Sequence, residues 1–147
     1  MFKFVIKYLG FLKFVPGLAH VYDGMLRMQS VVLKPELLVW IDEIETEVSG
    51  WQNIRVFTHK YGGLQFNCGN REMGHIHSNG LLDMLLNRNI KAQLMAEDAR
   101  IKDHHSFKNS GWISVYMKEK ADKDLAVRLF KIACDLKTKE LNNLNIS

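Results

Sequence analysis

Four of the six histidines, His75, His77, His104 and His105, fall between positions 75 and 105, in a segment that also holds Asp83. Imidazole ligates zinc, iron, copper and nickel, and it is the side chain whose proton exchange lies nearest neutral pH. In a strand, residues two apart share a side, so His75-Ile76-His77 would present two imidazoles on one face and Ile76 on the other. Adjacent His104 and His105 would point to opposite faces, so only one of them can join that pair. Three chemistries fit these residue types. A divalent metal would take His75 and His77 with one of His104 or His105, chiefly His104, and with Asp83 or His59 as a further donor. A metal-free small-ligand or acid–base pocket would use His75, His77, Asp83, His104 and His105, walled by Trp112 and Tyr61. A structural network would instead engage the imidazoles in hydrogen bonds to backbone and to Asp83, locking loops against a sheet.

Other catalytic patterns are missing from the sequence. It contains no GxxxxGK or GxGxxG phosphate cradle and no GxSxG nucleophile turn. Cys68 and Cys134 lie far apart with no CxxC spacing, which signals neither a disulfide framework nor a cysteine zinc site and suits a reduced, cytoplasmic compartment.

The elements that must position the histidines follow from local patterning. From Pro35 to Ser49, Leu37, Leu38, Ile41, Ile44 and Val48 share a helical face, with Pro35 fitting the first turn and Gly50 the stop. Ile54 to Thr58 and Leu64 to Cys68 are β-branched and aromatic runs joined through Tyr61, Gly62 and Gly63, which predicts a hairpin. Glu72 to Ser78 reads as a third strand. Asn87 caps a helix to Ala99 with Ile90, Leu94 and Met95 inward. Arg100 to His105 and Trp112 to Lys118 read as two more strands, and Trp112 is expected to anchor in the core. A last helix, capped by Asp122, buries Leu125, Leu129, Ile132, Ala133 and Leu136 and runs to about Leu141. The result is an α+β domain with a mainly antiparallel sheet and helices packed mostly on one face.

At 147 residues with 47% hydrophobic content and 2 prolines, the chain suits one folded domain and excludes disordered or collagen-like classes. We divide it into a basic, apolar N-terminal arm or helix (1–34), the α+β domain (35–141) and a short tail (142–147). The net charge of +4 is carried by residues 1–34, where five basic residues face one acidic. The rest is balanced and shows no basic run interleaved with aromatics, which disfavours nucleic acid as a partner. Lys7 and Lys13 interrupt the apolar segment Met1 to Leu18, which excludes a membrane span or signal peptide there. The arm would dock on the domain, on a partner or on a membrane surface, which allows a peripheral membrane location. No sequence feature specifies an oligomeric state.

Several motifs recur together: His59-Lys60-Tyr61-Gly62-Gly63, then Glu72-Met73-Gly74-His75-Ile76-His77-Ser78-Asn79-Gly80-Leu81-Leu82-Asp83, then His104-His105-Ser106 and Ser110-Gly111-Trp112-Ile113-Ser114-Val115. In this combination the chain resembles the luciferase-domain proteins of bacteria and fungi, a family otherwise of unknown function, along most of residues 51–136. Family members typically carry Arg in place of Lys60. The resemblance implies motif positions, not a light-emitting reaction or oxygenase machinery. The expected function is therefore a histidine-rich small-ligand or metal-binding pocket of unassigned activity. The alternative is a non-enzymatic domain whose histidines are structural.

Overall fold

The computed structural model describes residues 34–60 and 62–144, with Val21, Gly24 and Met25 as helical positions upstream. Apart from those positions, the expected N-terminal arm lies outside the described residues, as do Tyr61 and residues 145–147. Helix α1 spans Pro35–Ser49, with proline in its first turn, Gly50 at its end, and Leu37, Ile41, Ile44 and Val48 buried. Strands β1 (Ile54–Thr58), β2 (Leu64–Cys68), β3 (Arg71–Ile76) and β4 (Leu81–Leu85) follow as an antiparallel meander. Helix α2 (Arg88–Glu97) starts where the Asn87 side chain accepts the Ile90 amide at 2.9 Å. Strand β5 (Lys102–Asp103) is short, β6 is Trp112–Tyr116, and α3 runs from Lys120 to Leu144.

The six strands order as β1-β2-β3-β4-β6-β5, and every neighbouring pair is antiparallel. Helices α1 and α3 pack on one face. There Phe66, Ile76, Leu82, Met84, Ile113 and Val115 meet Ile44, Leu129 and Phe130 in a single core. The α+β reading with helices on one face therefore holds.

Three local differences have physical causes. Strand β4 was not anticipated, because Leu81-Leu82-Asp83-Met84-Leu85 shows no alternation. It is a central strand buried on both sides, and such apolar runs carry no period of two. The strand expected over Arg100 to His105 shrinks to Lys102–Asp103, because it pairs only with β6 at the sheet edge. Asp122 does act at the start of α3, but from inside its first turn: its carboxylate accepts the amides of Lys118 and Glu119 and pairs with Arg100. That helix also continues three residues into the stretch read as tail.

One irregularity matters for the site. Phe66 pairs with Gly74 while Asn67 pairs with Glu72, so Met73 is an extra residue, a β-bulge, in β3. In a regular strand Glu72 and His75 would face opposite sides, but the bulge puts both on the face away from the helices.

Candidate functional site

Across the sheet, register aligns Gln65, His75, Asp83, Ser114 and Lys102 in one row on the face that α1 and α3 leave uncovered. Asp83 is its centre and is almost wholly buried. One carboxylate oxygen, Oδ1, accepts a short hydrogen bond from the Ser114 hydroxyl. The other, Oδ2, faces three imidazoles: His75 Nε2 at 3.6 Å, His77 Nε2 at 3.6 Å and His104 Nε2 at 3.8 Å. No hydrogen bond within the described residues reaches any of these three nitrogens at normal length, since 3.6 Å is too long for one.

Each ring is held from behind. His75 Nδ1 lies 2.8 Å from Glu72 Oε1. A carboxylate can only accept, so Nδ1 carries a proton, and the neutral tautomer that this fixes has its lone pair at Nε2. His104 is held the opposite way. Its Nδ1 accepts the amides of Ser106 and Phe107 at 3.1 and 3.2 Å, so its ring proton sits on Nε2 and points into the site. His59, at the β1–β2 turn, stacks on His75 at 3.9 Å with the planes 9° apart. Gly63 permits that turn: its φ is +82°, and an added Cβ would run into the Ile76 carbonyl.

The electrostatics keep the carboxylates charged and two of the rings neutral. Burial pushes Asp83 upward, but the facing His77 ring, the Ser114 hydroxyl and the nearby His104 and His75 outweigh it and hold its pKa below the ordinary carboxylate value. Glu72 is likewise lowered, its burial outweighed by His75. Burial, helped by His75, pulls His59 down to about 4. His104 is also lowered, by burial first and against the opposing pull of Asp83.

The structure thus brings His75, His77, Asp83 and His104 around one oxygen. His105 does not join them. It is exposed and stacks on the outer side of His104 at 4.4 Å. Trp112 is half-buried and lies on the site face rather than in the helix-covered core, 5.6 Å from His75 and 5.8 Å from His104. Phe107, 54% exposed, continues that wall. The loop carrying His104 and Phe107 is tethered by buried Lys91, whose ammonium binds Asp103 at 2.6 Å and the carbonyls of Lys108 and Ser110.

Glu72, Ser114 and Lys91 were not singled out from sequence as site residues. Glu72 stands three from His75, which places it on the wrong face of any regular strand. Ser114 becomes Asp83's partner only through the β4–β6 register, and Lys91 looks like an ordinary helical surface lysine. Among the described residues two donor sets have metal-ligand spacing, His75–His77–Asp83 and His59–Glu72–His75. No described helix is long and apolar enough to cross a membrane.

No curated protein and no solved structure matches this chain. A family model described as Luciferase domain matches residues 70–133, the segment that supplies Glu72, His75, His77, Asp83, His104, Trp112 and Ser114. Over this segment, on the residues that build the site, the chain is similar to the Luciferase domain.

Proposed function

We propose that the protein is a metal-dependent small-molecule centre in which His75 Nε2, His77 Nε2 and Asp83 Oδ2 bind one divalent first-row transition metal. The observation that carries this reading is spacing. Donors bonded at about 2.0–2.2 Å in a tetrahedron stand about 3.4 Å apart, and both imidazole nitrogens lie 3.6 Å from the carboxylate oxygen. These contacts are too long for hydrogen bonds and nearly right for shared coordination.

The surroundings support it. The Glu72 carboxylate behind His75 is the outer partner that metal-bound imidazoles usually have, and it aims the lone pair inward. Ser114 orients the Asp83 carboxylate by holding its other oxygen. His104 stands outside the ligand set, because a nitrogen that keeps its proton cannot donate a lone pair. Two imidazoles and one carboxylate leave at least one coordination position open, where a small ligand can be bound and polarised. A purely structural network would instead bond each of these nitrogens at normal length.

Elemental analysis of untagged protein tests the proposal. One metal per chain is expected in the wild type and none in His77→Ala or Asp83→Asn, with circular dichroism unchanged. Wild-type protein that binds neither zinc nor cobalt at micromolar concentration overturns it.

A further inference from the structure

His104 is bound into the fold as a donor. Two backbone amides occupy its Nδ1, and its Nε2–H stands 3.8 Å from Asp83 Oδ2, too far for a hydrogen bond. His104 belongs to neither donor set with metal spacing, yet it faces the same carboxylate oxygen as both ligating imidazoles. A fixed N–H beside an open coordination position is suited to a ligand that brings its own acceptor.

Charge narrows the class. With neutral imidazoles, a divalent ion and ionised Asp83, the inner sphere carries one net positive charge, which a monoanion neutralises. Asp83 and His104 are buried and Trp112 walls this side, so the charge interaction is weakly screened. A carboxylate has two oxygens, one to meet the metal and one to accept from His104.

We propose that the exogenous ligand of this centre is a small oxygen-donor monoanion of the carboxylate class, bound to the metal and hydrogen-bonded by His104 Nε2–H. The inference rests on the metal reading above. It does not hold for the metal-free protein, where Asp83 and Glu72 repel an anion.

The test is a titration of cobalt-loaded protein with acetate, followed by visible absorption of the metal, alongside cobalt stoichiometry. In His104→Asn the amide oxygen can still accept the Ser106 and Phe107 amides, but the inward N–H is lost; His104→Gln restores a donor near the original Nε2. Acetate should bind the wild type, about tenfold more weakly His104→Asn, and His104→Gln with intermediate affinity, while all three hold one cobalt. Equal acetate affinity in wild type and His104→Asn overturns the proposal. So does a loaded wild type whose spectrum acetate leaves unchanged, and in that case the metal reading stands. If cobalt does not bind at all, the metal reading falls and this inference with it. Nitrogen NMR of the wild-type histidines gives a check independent of any variant: His104 must be protonated at Nε2 and not at Nδ1, and the reverse overturns the proposal.

Discussion

The two faces of the sheet are built from the same strands by alternation, yet they do different work. On the helix-covered face, Phe66, Ile76, Leu82, Ile113 and Val115 are all essentially sealed from water and pack in one apolar cluster. On the other face, one residue away along each strand, His75, Asp83 and Ser114 are also buried but polar, and they face one another, with Glu72 behind His75. Apolar burial stabilises in proportion to area and tolerates approximate geometry, whereas buried polar groups are costly unless every partner is placed. On the proposed reading, the covered face provides the stability that lets the open face hold a ligand site.

Substitutions on the two faces should separate stability from binding. The largest effect is expected from Phe66→Ala, which empties the site of a ring packed 4.5 Å from Phe130 and should destabilise by about 3–5 kcal/mol. Urea unfolding measures this, and metal affinity of the remaining folded protein should be unchanged. A coupled loss of affinity in the folded fraction would break the distinction between faces.

Glu72→Ala should do the reverse. Losing the acceptor on His75 Nδ1 should weaken metal binding about 10–100-fold, read by competition with a chelator of known affinity, with little change in thermal midpoint. A large drop in that midpoint instead would make Glu72 a structural residue.

Next comes pH. His59 is held near 4 in the folded protein, against 6.5 for the unperturbed ring. Between those values the unfolded chain takes up a proton that the folded one refuses, so stability falls as pH drops from about 6.5 to 4. The loss should be on the order of 1–2 kcal/mol, and His59→Gln should flatten the slope of the urea midpoint over that window. Asp83 acts at lower pH: its folded value lies below 3.8, so its share of stability is present above that pH and is lost only in stronger acid. A slope that persists unchanged in His59→Gln would assign the window to another group.

The smallest effect is expected from Phe107→Ala, whose ring is mostly in water. Stability should change by less than about 0.5 kcal/mol, while the environment of Trp112 changes, visible as a shift in tryptophan fluorescence. A loss above 1 kcal/mol would make this ring part of the loop's packing rather than a wall of the site.

How much of this was written locally differs from element to element. Helix α1 was legible down to Pro35 and Gly50, and Asn87 marked the start of α2, because caps and helical stripes are set by neighbours within one turn. The His75–His77 pair followed from strand alternation, which needs no knowledge of the partner strand, whereas His104 and His105 lie beyond the end of β5, where alternation does not apply. Strand β4 was hidden because both its faces are covered, so Asp83 stood out by residue type while its central position did not.

What only the tertiary structure decided are the relations that cross strands. The bulge at Met73 turns Glu72 onto the face of His75, the β4–β6 register sets Ser114 against Asp83, and Lys91 brings the His104 loop over the sheet. The tautomers follow from these contacts, since a ring's proton goes wherever its partners leave room for it. The sequence by itself determined the α+β class and the imidazole and carboxylate groups available, because those depend on periodicity and residue type. Which nitrogen faces which oxygen depends on pairing between distant segments, and that is decided only when the chain packs.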